Sequence, residues 1–365
     1  MIQLNLTEKI QKNHEDFIAG KINYLPFESL GKFTEWFPGL MREELTCFTG
    51  TPASSKTSLV KKLVIHDGIK WAVQNNRNVH ILYIGMEESR SQFLYSLMSY
   101  QGFIMHGLQY NIKDFLGIGR TIDINDIKKI KEVEDRVEKM LPFITYYDNV
   151  FNSYGIWKTV REFAAKRGTF YFHNVPVSGQ VGADNSWDSY TPDDPDEFVV
   201  IVIDHLLLLS PQKDEKDQSE AIWNTVEYLR RFAANKLKYA IVPIQHQNAD
   251  SENQESRKDQ TILPTENGLA RNKEVGRSYL NLIGIANPNK ANQGGVRPII
   301  GTWGGHDLNR FGNYLRTINI IKSRFGDSSV HDSIFFGGRT GWFETIPPVG
   351  TPEYAKFVEQ IKTFK

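Results

Sequence analysis

The chain has one cysteine, Cys47, so no internal disulfide can form and a reducing compartment fits it. No sign of charge is in excess, since 43 Lys and Arg stand against 43 Asp and Glu. A protein that wraps duplex DNA by bulk attraction is basic, and neutrality argues against that mode. It leaves room for a few basic loops lining a narrow channel, where local charge sets the field. No apolar run reaches the roughly 18 residues that span a bilayer, and mean hydropathy is −0.41. The opening "MIQLNLTEKIQKNHEDF" has no apolar core of signal-peptide type. No membrane partner and a cytoplasmic location are therefore expected.

One further absence falls inside a motif. "LTCFTGTPASSKTSLVKKL" nearly matches the phosphate-gripping pattern G-x-x-x-x-G-K-[ST]. The glycine before the lysine is missing, because Ser55 stands there. If that position needs a left-handed backbone, the replacement costs about 1 kcal/mol, which weakens such a loop without abolishing it. A P-loop holds phosphate with backbone N–H groups at a helix N-terminus, where the helix dipole adds positive potential. Gly50 ends an apolar run, and Lys56 and Thr57 open a helical pattern. The candidate phosphate-binding residues are thus Gly50, Thr51, Pro52, Ala53, Ser54, Ser55, Lys56, Thr57 and Ser58. Lys56 would neutralise the phosphates, and Thr57 would ligate Mg²⁺. The competing reading is a serine-rich turn before an amphipathic helix.

A P-loop ATPase needs a second carboxylate for the metal shell, at the end of an apolar strand beside the loop. "FVVIVID" supplies Asp204 in that position. The two motifs together point to ATP with Mg²⁺. Hydrolysis also needs a group that orients or deprotonates water. "VHILYIGMEES" brings Glu87 to the carboxyl end of a strand, where ligands bind in open α/β sheets. Glu88 is its neighbour and the alternative.

The rhythm of the chain is strand, loop, helix, strand. "LTCFT", "VHILYIG", "FVVIVID", "YAIVPIQ", "YLNLIGIA" and "LRTINIIK" read as strands, and continuous apolar strands between helices imply a mostly parallel sheet covered on both faces. The expected fold is α/β, a P-loop NTPase with a short helical arm. Residues 1–24 form that arm, either a frayed terminus or a helix docking on a neighbouring subunit. Residues 25–346 form the motor, interrupted by an insertion at about 169–197 that is rich in Gly, Pro, Asp and aromatics. Residues 347–365 are expected to be a tail.

The segments "ELTCFTGTPASSKTSLVKKL", "VHILYIGMEES", "FVVIVIDHLLLLS", "YAIVPIQHQN" and "INIIKSRFG" follow the order of the motor domain of DnaB-type replicative helicases, which the chain resembles from about Leu25 to Phe343, a resemblance that implies a RecA-like fold. The lead-in "FPGLMREELT" resembles that family too. The resemblance implies roles residue by residue. Glu87 would activate water. Gln245, ending a strand, would sense the γ-phosphate and relay to DNA loops. Lys322 and Arg324 of "KSRFG" would reach into the next subunit's ATP. Arg271 and Lys273, in "GLARNKEVG", would contact DNA phosphates. The sequence departs from the family at Ser55, at Leu207 and at Ser96, and only about 24 residues precede the motor. A chain of this type resembles phage or mobile-element helicases.

The implied function is an ATP-driven helicase or translocase moving on single-stranded DNA as a homo-hexameric ring. Its partners would be single-stranded DNA, further copies of itself, and a primase or helicase loader. Lys322 and Arg324 end a strand late in the sheet, far from Lys56, so an arginine acting on ATP would come in trans through a head-to-tail interface. Two other readings share the motifs. One is a RecA-type filament-forming recombinase, and the other a regulatory ATPase without DNA function.

Overall fold

The computed structural model describes residues 6–18, 24–173, 175–176, 187–248, 263–289, 302–324 and 326–364. Its centre is a nine-stranded sheet. In chain order the strands are β1 (Thr46–Gly50), β2 (Val79–Gly85), β3 (Ile144–Tyr147), β4 (Phe198–Asp204), β5 (Ala240–His246), β6 (Asn281–Ala286), β7 (Leu315–Lys322), β8 (Val330–Gly337) and β9 (Trp342–Thr345). Their order across the sheet is β9-β8-β7-β6-β1-β5-β4-β2-β3. The six strands from β6 to β3 run parallel. β7, β8 and β9 continue the sheet antiparallel.

The six apolar runs of the sequence all become strands, and the mostly parallel sheet is as expected. β4 is buried at every residue, which is why its sequence is apolar throughout rather than alternating. One layer of core packs Phe48, Leu59, Leu63, Val200 and Val242 on one face. The other face buries Leu82, Ile201, Ile222, Leu229 and Ile241. β3 lies inside residues 103–148, which read as mixed helix and loop. Its four residues are all half-buried, as befits an edge strand without a strong apolar signal.

Within the insertion, Gly168–Phe172 pairs antiparallel with both Ser189–Pro192 and Val175–Pro176. Residues 174 and 177–186 lie outside the described residues. Residues 347–365 are the expected C-terminal tail. It contains the helix Pro352–Ile361, whose Phe357, Val358 and Ile361 are buried with Phe335 in a third apolar cluster. Three apolar residues on one helical face are enough to dock it. The arm contains a helix at Leu6–Ile18 with Ile10 exposed. Among the described residues, no helix is long and apolar enough to cross a membrane.

Candidate nucleotide-binding site

β1 brings Gly50 to the carboxyl end of the parallel strands. A Cβ there would lie 2.2 Å from the Ile285 carbonyl oxygen, so the close approach of β6 requires glycine. The turn that follows has two left-handed residues, Ala53 (φ 58°) and Ser55 (φ 78°). Ser55 therefore occupies the conformation for which glycine is the usual residue. Lys56–Val60 opens a helix, continued by a π-helical Lys61–Asp67 and then Gly68–Gln74. The amino end of that helix faces the turn, as anion binding requires.

Lys56 is buried, and its Nζ donates to the Thr51 carbonyl at 2.9 Å. Thr57 Oγ1 donates to Asp204 Oδ1 at 3.1 Å. Tyr83 from β2 donates its hydroxyl to Asp204 Oδ2 at 2.7 Å. Burial raises the Asp204 carboxyl above its ordinary range, against the hydrogen bond from Tyr83 and the charge of Lys61. Ser54 Oγ is buried without a hydrogen-bond partner among the described residues. A lysine amine, hydroxyls and helix-start N–H groups are donors suited to a polyphosphate. A hydroxyl beside a carboxylate offers hard oxygen ligands suited to Mg²⁺.

The two glutamates after β2 part company. Glu88 forms an ion pair with Lys61 at 2.5 Å and is 27% exposed at its side chain. Glu87 is 60% exposed, and its Oε2 lies 3.6 Å from Nε2 of His205, the residue after Asp204. Glu87 thus stands beside His205, while Glu88, held by Lys61, is the glutamate whose charge acts on Asp204. Gln245 is fully buried, and its amide is committed. Nε2 donates to the carbonyls of Ala270 (3.0 Å) and Asn272 (3.4 Å), and Oε1 accepts from Tyr279 at 2.8 Å. It ties β5 to the segment carrying Arg271 and Lys273, both of which are exposed.

Lys322 and Arg324 lie toward the opposite end of the strands from Gly50. Lys322 pairs with Leu282, which pairs with Cys47, away from Gly50. Lys322 Nζ donates to the Gly276 carbonyl at 3.0 Å and lies 3.5 Å from Glu266. β7 ends at Lys322, so Arg324 lies beyond the strand that the two residues were expected to end. Instead, the Arg324 backbone N–H donates to Asn281 Oδ1 at 3.3 Å. The structure brings Gly50–Ser58 and Asp204 together and sets Glu87 beside His205, while Arg271, Lys273, Lys322 and Arg324 lie elsewhere.

The architecture matches solved structures. "The Structure Of A DnaB-Like Replicative Helicase And Its Interactions With Primase" aligns with a TM-score of 0.66 at 15% identity, covering 95% of this chain and 69% of that one. A second solved structure, described as an ATPase domain, aligns with a TM-score of 0.66 at 14% identity, covering 94% of this chain and 100% of that one. The fold is that of DnaB-like helicase motors. At such identities the likeness concerns the fold alone. No family model matches the chain, and no curated protein matches it.

His205 and Arg316 were not singled out in the sequence. His205 is buried, with Nδ1 unpartnered among the described residues, and its ring is 4.2 Å from that of His246. Burial pushes its imidazole below the usual range, Asp204 pulling the other way. The dipeptide Asp204-His205 was the available signal. Arg316 reaches Ser55 from β7, 261 positions away, and no motif marks it.

Proposed function

We propose that the chain is an ATP-driven motor of the DnaB-like replicative helicase type. It hydrolyses ATP with Mg²⁺ and translocates on single-stranded DNA, unwinding duplex ahead of it. The observation that carries this reading is the 3.1 Å contact between Thr57 and Asp204 beside the buried Lys56. Lys56 and the turn would bind the phosphates, Thr57 and Asp204 would hold the metal shell, and Glu87 would take the proton of the attacking water. A bound metal would neutralise charge on the phosphates while the γ-phosphorus is the electrophile and ADP leaves, and the protein contributes orientation and charge.

The separation of Arg324 from this site supports a ring in which the arginine serves the next subunit. The bonds from Gln245 to the 268–276 segment support a path from β5 to the exposed Arg271 and Lys273. Those two cations would contact DNA phosphates. A primase or helicase loader is a fitting partner class, since one structural neighbour is described together with primase. Steady-state ATPase with and without single-stranded DNA, followed by unwinding of a forked duplex, tests the reading. DNA-stimulated hydrolysis with unwinding is expected. Hydrolysis indifferent to DNA overturns it in favour of a regulatory ATPase. Open filaments instead of closed rings under electron microscopy overturn it in favour of a recombinase.

A further inference from the structure

Arg316 is a buried arginine whose ion-pairing carboxylate is missing among the described residues. It opens β7 beside Ile334 of β8, at the end of the sheet where the P-loop lies. Its Nε donates to Ser55 Oγ at 3.1 Å. Its Nη1 donates to the Asn313 and Leu315 carbonyls, both at 2.8 Å, and the guanidinium lies 4.6 Å from the Phe336 ring centroid. Desolvation pulls its pKa down to about 9, so it remains a cation at neutral pH. A buried charge without a compensating partner is expensive.

Two observations converge on what compensates it. First, Arg316 lines a cavity of about 580 Å³ that also touches Ala53 of the P-loop, with Tyr314, Asn287, Asn313 and Arg339 around it. The cavity continues from the phosphate loop and carries two arginines. Second, Ser55 holds a left-handed backbone that glycine would adopt without strain. Its hydroxyl is what glycine lacks, and that hydroxyl holds Arg316. The strained serine and the lone arginine account for each other.

We propose that Arg316 is a second phosphate-binding cation of this nucleotide site, held in place by the Ser55 hydroxyl. The proposal rests on the nucleotide reading above and adds a residue that the P-loop pattern does not contain. Lys56 and Arg316 would grip the polyphosphate from two sides, the arginine through donors on its fork that Ser55 and the carbonyls leave over. Because Arg316 faces the cavity rather than Asp204 and Glu87, it serves phosphates common to ADP and ATP. Its loss should weaken both alike.

The test is calorimetric titration of the full chain with Mg·ADP, a non-hydrolysed ATP analogue and inorganic pyrophosphate. Arg316→Gln should weaken all three by about tenfold or more, the scale of one charge-assisted hydrogen bond. Ser55→Ala should weaken them several-fold and add nothing further in the Arg316→Gln background, because the hydroxyl acts only through the arginine. Nucleotide affinity lost in Lys56→Ala but unchanged in a folded Arg316→Gln overturns the role of Arg316 alone. Weaker ADP binding with unchanged pyrophosphate binding also overturns it, assigning Arg316 to the nucleoside. A wild-type chain that binds no nucleotide overturns the underlying reading as well. If Arg316→Gln does not fold, Arg316→Lys and Ser55→Ala decide. Both should bind more weakly than wild type, and wild-type affinity in both overturns the proposal.

Discussion

Thr57 Oγ1 and Asp204 Oδ1 lie 3.1 Å apart although 147 positions separate them in sequence. Parallel pairing of β4 with β5, and of β5 with β1, brings the two strand ends together. The contact suits the proposed sharing of one metal shell by a threonine and an aspartate. Mg²⁺ removal should therefore cost hydrolysis completely, and Lys56→Ala should do the same through the phosphates. Lys56 also caps the Thr51 carbonyl, so its loss should lower stability by about 1 kcal/mol, the net worth of one hydrogen bond. Turnover assays and thermal melts of Lys56→Ala check both effects. A variant that hydrolyses at the wild-type rate rules out the phosphate role.

The neighbouring glutamates give a cleaner contrast. Glu88 is taken up by Lys61, whereas Glu87 is exposed beside His205. Glu87→Gln should keep ATP binding and stop hydrolysis. Glu88→Gln frees the buried Lys61 and should reduce stability more than turnover per folded molecule. Paired measurements of Kd, kcat and melting temperature separate the two. Arrested turnover in the Glu88 variant together with normal turnover in the Glu87 variant would reverse the assignment.

Most of the sheet was legible in the sequence because buried parallel strands must be apolar on both faces, and "FVVIVID" could be little else. The phosphate loop was legible because its chemistry is local, with Gly50, Lys56 and Thr57 falling within eight positions. What escaped has non-local causes. β3 is a half-buried edge strand whose "ITYY" carries a mixed pattern. The helix Pro352–Ile361 has a Thr351 cap and Pro352 in its first turn, but what docks it is non-local, the packing of Phe357 against Phe335 of β8. Arg316 meets Ser55 only because β7 doubles back antiparallel beside β6. Arg324 fell off the strand because pairing stops at Lys322, which no periodicity announces.

Acid should act on a different part of the molecule. Glu227 accepts from Arg230 at 2.8 and 3.0 Å, from Arg231 at 2.9 Å and from Ser278 at 2.8 Å. These partners, Arg230 first, pull its pKa down to about 2 from an ordinary 4.5. A carboxyl with a depressed folded pKa contributes stability above its unfolded pKa and loses it as pH falls through the folded one. Glu227→Gln should thus be less stable than wild type at pH 7. The two stabilities should converge as pH drops from about 4.5 toward about 2. Denaturant melts at pH 7, 4 and 2.5 measure this, and a constant difference across that range would deny Glu227 the role.

The final prediction concerns Arg324. Its backbone is anchored to Asn281, and Asn281 pairs with Thr46, four residues before Gly50. That separation is about 13 Å of strand, toward the wrong end of the strands for the P-loop of the same chain. Glu44 lies close enough that the charge of Arg324 lowers its pKa, against the larger effect of burial. An arginine placed there meets ATP only if a neighbouring subunit presents it. Arg324→Ala should therefore bind nucleotide like wild type as an isolated chain and hydrolyse it about 10³-fold more slowly, the scale of an arginine finger. Mixing Arg324→Ala chains with Lys56→Ala chains decides between cis and trans. In a head-to-tail assembly some interfaces join an intact Lys56 to an intact Arg324, and hydrolysis should partly return. Co-assembled mixtures that stay inactive would deny independent sites acting in trans. Loss of ATP binding by the isolated Arg324→Ala chain would put the arginine in cis and remove the reason for a ring.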